Sequence, residues 1–170
     1  MIKIRLHKRI DIPHRVKWLN NPKVNKFVGN ELGKKTTKQK QEKWFENYLK
    51  DANKKFFTIL FNDKPVGFMG LSNISKQNKN ADLFIIIGED GYRGQGIGKQ
   101  AMLWLIEFTF KKLKLYKINL GVIKDNFPAV NLYKKLGFKI EGDMKEEVCY
   151  KGKFYDFLSM ALFRKDYKAK

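Results

Sequence analysis

The sequence predicts a mixed α/β domain built around one strand–loop–helix–strand unit. Three observations carry this. "ADLFIIIG" is apolar on both faces towards its end, as a central strand is. "GYRGQGIG" then packs four glycines into eight residues. "KQAMLWLIEFTFKKL" follows with Ala101, Met102, Leu105, Ile106 and Phe108 on a broad helical stripe. With 170 residues the chain is long enough for one sizeable core, so residues 1–170 are read as one domain.

The remaining elements fall in place around that unit. "IKIRLHK" alternates with period two and reads as a first strand. "DIPHRVKWLNNPKVNKFVG" reads as two short helices, with Asp11 as N-cap, Pro13 in the first turn and a break at Asn20-Asn21-Pro22. "TTKQKQEKWFENYLKD" places Trp44, Phe45, Tyr48 and Leu49 at helical spacing. "KKFFTILFNDKPVGFMGLSNI" is two β-rich runs flanking Asn62-Asp63-Lys64-Pro65, a hairpin signal. After the glycine loop and its helix, "YKINLGVIK" is a strand, and Asn126-Phe127-Pro128 opens a helix that Gly137 closes. The tail reads as a hairpin around Lys151-Gly152-Lys153. The order is strand, helices, three strands, helix, strand, helix, two strands.

Composition narrows the class. Apolar residues make up 43% and aromatics 14%, as in a globular chain. No apolar run approaches the ~18 residues that span a bilayer, and the charged, alternating N-terminus is unlike a signal peptide. A cytoplasmic protein with no membrane partner is expected. One cysteine, Cys149, excludes an internal disulfide. With only His7 and His14 beside it, no metal-ligand cluster assembles at familiar spacing, so no metal is expected.

The formal charge of +19 is large, but 31 of the 36 basic residues are Lys and five are Arg. Together with abundant Asn, Ile and Phe, that mixture is what an AT-rich genome imposes. Charge alone is therefore weak evidence for nucleic acid, whose specific contacts favour Arg. A field of this sign still attracts an anionic cofactor or ribosomal RNA and repels a polycation.

Glycines ahead of a helix let several N–H groups converge on one anion at the positive helix end. The P-loop pattern fails here, because its first glycine falls on Arg93 and Gln100 has no hydroxyl for Mg²⁺. The dinucleotide pattern fits Gly94 and Gly96, but its third glycine falls on Lys99. The pattern [QR]-x-x-G-x-[GA] is met by "RGQGIG", Arg93 to Gly98.

At this point the chain resembles the GNAT superfamily of N-acetyltransferases. A second stretch, "NFPAVNLYKKLGF" from Asn126 to Phe138, is similar to that family's C-terminal signature and lies one helix and one strand after the loop. The resemblance implies a GNAT fold: a mixed, mostly antiparallel sheet with a central splayed parallel strand pair and flanking helices. It also implies direct acetyl transfer from acetyl-CoA to a primary amine, on a protein N-terminus or a small molecule. "WLNNPKVNKFVG", "KPVGFMGLSNI" and "YKGKFYDFLSMAL" resemble more narrowly the Rim-type ribosomal-protein enzymes, which brings ribosome association and a monomer or homodimer into view. That branch also holds polyamine, aminoglycoside and amino-sugar enzymes.

By resemblance, the backbone near Ile85 and Ile87 pairs with the pantetheine arm. The N–H groups of Arg93, Gly94, Gln95, Gly96, Ile97, Gly98 and Lys99 take the pyrophosphate, with the Arg93 and Lys99 side chains adding charge. Asn126 matches a cofactor-contacting position; a helix N-cap explains it equally. Tyr133 matches the tyrosine that protonates the leaving thiolate, and core packing is the competing explanation. Asp82 stands where relatives carry the carboxylate base, although an Asp of ordinary pKa is a weak one. Lys99-Gln100-Ala101 departs from the common pattern by removing a carboxylate from the first helical turn, beside the phosphate site. The bulky Leu83-Phe84 departs on the acceptor side and leaves the acceptor open. Glu141, Asp143, Glu146 and Glu147 read either as an acidic mouth or as a solvated hairpin face. A rival of another class is a non-catalytic acyl-CoA sensor or RNA-binding module, with Trp18 and Trp44 as stacking surfaces.

Overall fold

The computed structural model describes residues 1–28 and 33–167. Seven strands form one sheet: β1 (Ile2–Leu6), β2 (Lys55–Phe61), β3 (Lys64–Ser75), β4 (Asn80–Ile87), β5 (Lys117–Ile123), β6 (Lys139–Tyr150) and β7 (Lys153–Phe163). Helices are α1 (Ile12–Asn20), α2 (Pro22–Asn25), α3 (Lys38–Lys50), α4 (Ile97–Glu107) and α5 (Phe127–Lys135). The expected element order is therefore met. Gly29, the last residue of the "WLNNPKVNKFVG" stretch, lies outside the described residues.

The strand order is β1-β2-β3-β4-β5-β7-β6, antiparallel except between β4 and β5. That parallel pair is short. It joins Asn80 to Lys117, Ala81 to Ile118 and Asp82 to Asn119, and then the strands part. Both hairpins turn as their sequences require: Asn62 and Asp63 at φ 48° and 62°, Lys151 and Gly152 at 51° and 78°. Two positive φ values in a two-residue connection match the twist of the flanking strands.

One core lies between the sheet and α4 with α5. It collects Ala81, Leu83, Ile97, Ala101, Met102, Leu105, Ile106, Ile118, Leu120, Val122, Val130 and Tyr133. Four of the five stripe residues, Ala101, Met102, Leu105 and Ile106, are buried; Phe108 is half-buried and opens a π turn, Phe108–Lys112, that ends α4. On the other face α1 and α3 cover an aromatic layer. Trp18 is fully buried against Phe68 and Ile86, and its ring occupies the place a side chain on Gly88 would take, 2.0 Å from an ideal Cβ. Trp44 packs beside Tyr48 and Phe56, which also stack on each other, and the Arg15 guanidinium lies over its ring, 3.6 Å from the centroid. Trp18 is closed to a base, and the half-buried Trp44 carries a guanidinium over its ring, which weakens the RNA-binding reading.

Two local expectations change. Leu49 is exposed, and α3 packs through Phe45 instead. Asp11 does not cap α1. Its buried carboxylate accepts from the Lys8 N–H at 2.8 Å, from Arg5 at 2.6 and 2.7 Å and from the Thr58 hydroxyl at 2.8 Å. Burial alone raises this carboxyl; the donors outweigh it and hold the group below its ordinary pKa. Because Thr58 gives its proton to Asp11, the Nδ1 of His7, 2.9 Å from Thr58 Oγ1, is the protonated ring nitrogen. Burial, helped by the Arg15 charge, lowers the His7 pKa to about 4.

Candidate active site

The gap between β4 and β5 is the centre of the site. Ile86 O lies close to Gly67 of β3, and the Gly88 N–H donates to Val66 O at 2.9 Å. Even-numbered residues of β4 thus address β3, and by alternation Leu83, Ile85 and Ile87 address the β5 side. Beyond Asp82 no strand meets them there. The backbone of Ile85 faces an open gap, a ready partner for the amides of an extended arm. Ile87 O is occupied, because Arg93 Nε donates to it at 3.0 Å.

At the mouth of the gap stands the glycine loop. Gly94 and Gly96 sit at φ 78° and 77°, which an L side chain rarely adopts, and a Cβ on either would meet nothing within 4 Å. The loop therefore borders open space. The first helical N–H to find a carbonyl is that of Gln100, on Gly96 O at 3.1 Å. The N–H groups of Ile97, Gly98 and Lys99 stay free at the positive end of α4, an anion site in geometry and charge. Gln95 braces the loop by donating from Nε2 to Gly91 O at 2.7 Å. The Ile97 side chain is buried core, so only its backbone serves the loop. Gly98 borders Ile87 and Leu132, 3.8 and 3.9 Å from an ideal Cβ. Lys99 is exposed and unpaired among the described residues.

Arg93 differs from expectation. Its guanidinium turns back to Ile87 O and lies 2.9 Å from Asp90 Oδ1. It ties the end of β4 to the loop through Nε, while the buried Nη2 lies near Asp90 without a hydrogen bond among the described residues. Asp90 in turn accepts from Asn21 at 2.8 Å, while Glu89 accepts from Trp18 Nε1 at 2.8 Å and from Lys17 at 2.7 Å. These bonds pin the loop to α1 and α2.

Asp82 sits where β4 and β5 part. Its carboxylate accepts from Asn73 at 2.7 Å and from Asn119 at 3.4 Å. Sequence reasoning missed both amides. Asn73 lies in a bulge of β3 at φ 50°, a conformation that Asn tolerates better than most residues. Tyr133 projects from α5 into the core with its ring 5.9 Å from Phe138. Among the described residues nothing hydrogen-bonds its hydroxyl, and burial pushes the phenol up to about 12. Asn126 occupies the N-cap position of α5, but its side chain makes no capping bond and remains available.

Two of the four acidic residues named in the tail are ion-paired, and Glu146 and Glu147 are exposed without an ion pair among the described residues. Asp143 pairs with Lys124 at 2.7 Å and Lys145 at 3.2 Å; Glu141 pairs with Lys117 at 2.7 Å. Phe84, on the face of Asp82, packs edge-on against Phe56 at 4.9 Å and fills space there. Between α2 and the β6–β7 turn lies a cavity of about 220 Å³, lined by Lys26, Phe27, Ile123, Asp125, Tyr150, Lys153 and Tyr155. A wider concavity of about 520 Å³, beside Ala52, Asn53 and the β3–β4 turn, is open and has no carboxylate in its lining. Among the described residues no group of His, Cys, Asp and Glu could hold a metal, and no helix is long and apolar enough to cross a membrane.

Comparison with known proteins follows from this geometry. The family model described as an acetyltransferase (GNAT) domain matches residues 4–159. The spermidine N(1)-acetyltransferase of Escherichia coli K12 is 29% identical over 125 residues, covering 74% of this chain and 67% of that protein. Acetyltransferase PseH of Campylobacter jejuni is 26% identical over 137 residues, covering 79% and 82%. The spermidine N-acetyltransferase of Vibrio cholerae, solved with CoA and spermine, superposes with a TM-score of 0.90 at 24% identity, over 98% of this chain and 97% of that one. None of these is a ribosomal-protein enzyme. The likeness holds at the level of the family and not of the Rim-type branch, and ribosome association has no support among them.

Proposed function

The chain belongs to the GNAT acetyltransferase family, and on that premise we propose how its residues move an acetyl group from acetyl-CoA directly to a primary amine. The observation that carries the proposal is the parting of β4 and β5 after Asp82 and Asn119, with the free N–H groups of the glycine loop at its mouth. The residues present fit the cosubstrate: a helix end for a pyrophosphate and an unpaired strand edge for an amide-bearing arm. Acetyl-CoA supplies the activated thioester.

The loop from Gly94 to Lys99 holds the pyrophosphate through backbone N–H groups, with the Lys99 ammonium adding charge. Arg93 keeps the loop in register through Ile87 O. Ile85 pairs with the pantetheine arm, and Asn126 contacts it from the other side. Asp82 takes the proton from the attacking amine, directly or through a water. Tyr133 donates its hydroxyl proton to the departing sulfur; a phenol with a pKa near 12 is fully protonated at working pH and has no competing partner. Cys149 is an exposed free thiol and is not assigned as a nucleophile in this direct transfer. A cytoplasmic setting remains part of the proposal, on the strength of that single free thiol.

Deprotonating an α-amine of pKa 7.7–8.0 at pH 7 costs about 1 kcal/mol; an alkylamine near 10.4 costs over ~4 kcal/mol. A lone carboxylate as base thus favours a peptide or small-molecule amine of low pKa over a polyamine, the acceptor in the relatives' names. Titration calorimetry with acetyl-CoA, followed by thiol release against N-terminal peptides, amino sugars and spermidine, tests the proposal. Binding with turnover of one amine class is expected. Absence of acetyl-CoA binding refutes it, and binding without turnover of any amine favours a sensor.

A further inference from the structure

We propose that the acceptor is a small amine that also carries a phosphate or carboxylate, and that the cavity between α2 and the β6–β7 turn holds the anionic end. The inference rests on the function proposed above and names its substrate class.

The cavity stands on the right face. Ile118, Leu120 and Val122 of β5 point into the core under α4 and α5, so Asn119, Gly121 and Ile123 point the other way, with Asp82. Asn119 holds Asp82 where the strands part; Ile123 lines the cavity. They are four residue steps apart along the strand, about 13 Å at ~3.3 Å per residue. Gly121 lies between, and its missing side chain makes room for the Phe157 ring, 2.2 Å from an ideal Cβ. The Phe157 ring therefore lies on this face between the cavity and the carboxylate.

The charges select the ligand. Lys26 and Lys153 both line the cavity, and neither has a carboxylate partner among the described residues. Each ammonium instead lies over a ring, Lys26 at 4.4 Å from Phe27 and Lys153 at 5.0 Å from Tyr155. Asp125 is the one carboxylate in the lining. Of the acids on the same hairpin, Asp156 lies 2.8 Å from Lys145 and 3.4 Å from Lys124, and Asp143 engages the same two lysines, while the exposed Glu146 and Glu147 have no ion pair among the described residues and lie outside the lining. A polyamine brings several ammonium groups and needs several free carboxylates. This cavity offers two uncompensated ammonium groups against one carboxylate, with Phe27, Tyr150 and Tyr155 as apolar walls. An anion between Lys26 and Lys153, with a ring or short chain over Phe157, leaves the amine directed at Asp82.

The test uses the full chain and acceptor pairs that differ only in the anion: glucosamine 6-phosphate against glucosamine, and alanyl-phenylalanine against its amide, with spermidine alongside. At saturating acetyl-CoA one anionic member is expected to exceed its neutral partner and spermidine in kcat/KM by at least ~10-fold. The phosphate and carboxylate pairs tell the two sources apart. Lys26→Gln with Lys153→Gln is expected to raise KM for that acceptor by ~10-fold, with acetyl-CoA affinity and turnover of the neutral partner unchanged. Preference for spermidine or the neutral members, or an anion preference untouched by the lysine substitutions, overturns the inference. Calorimetry of the acetylated products on the CoA-bound protein separates the two proposals. Tighter binding of N-acetylspermidine than of either anionic product removes the substrate class while the function stands. Tighter binding of an anionic product with no turnover of any amine removes the function while the anion site stands.

Discussion

Replacing Tyr133 with Phe isolates one oxygen atom. The ring is buried and packs against Phe138, and these contacts survive the substitution. The hydroxyl has no hydrogen-bond partner among the described residues, so its loss strands no donor or acceptor. Stability should therefore hold within ~0.5 kcal/mol, far below the ~1–3 kcal/mol of a broken buried bond. Catalysis should respond differently. A positioned general acid contributes ~10²–10⁴-fold; the low end, ~100-fold in kcat, is ~2.7 kcal/mol of barrier. KM for acetyl-CoA should barely change, because the proton is needed only as sulfur departs. Since burial places the phenol near 12, the wild-type rate should show no loss from this group below pH ~10. Thiol release under saturating substrates and thermal unfolding of both proteins make the comparison. Full activity in Tyr133→Phe refutes the role of acid. A large fall in melting temperature with proportionate loss of activity shows that the residue is structural.

Three further outcomes are expected. Gly96→Val places a β-branched residue at φ 77°, which strains the backbone by ~1–2 kcal/mol and puts methyl groups where the anion rests; acetyl-CoA affinity should fall by at least ~100-fold in calorimetry, and unchanged affinity sinks the loop assignment. Asp82→Asn should lower kcat by ~10-fold or more without weakening acetyl-CoA binding, and an unaltered pH–rate profile removes Asp82 from the mechanism. For His7, the folded pKa of about 4 lies below the ordinary 6.5, so the unfolded chain binds more protons between those values; the stabilisation is complete above pH 6.5 and is lost as pH falls towards 4. The loss should approach ~3 kcal/mol, read as melting temperature against pH, and His7→Gln should flatten that slope if the histidine causes it.

Much of this molecule was legible in one dimension because the signals are local. Alternation located the strands, and helical spacing located α3, α4 and α5. Asn62-Asp63 and Lys151-Gly152 specified their turns through the φ values they tolerate. The glycine loop disclosed an anion site because free N–H groups and missing Cβ atoms are properties of the chain itself. Asp11 shows where local reasoning stops. It looked like a helix cap, but the pairing of β1 with β2 brought Thr58 and Arg5 to it, and a buried carboxylate takes the strongest donors within reach. Arg93 behaves alike, drawn to Ile87 O and away from the open loop.

The chemistry of the amine side belongs to the tertiary structure. No spacing in the sequence connects Asn73 or Asn119 with Asp82; a bulge in β3 and the three-residue pairing of β5 do. Nor does it say which of its many charges are free. Asp143, Asp156 and Glu141 are cancelled by lysines from other strands, whereas Lys26 and Lys153 are left without partners among the described residues. On the proposed function the acetyl donor is held by backbone that the local sequence shapes, which is why the sequence alone pointed to it. The acceptor is recognised by side chains that meet only when strands and helices pack, because charge cancels over a few ångströms in space and not along the chain.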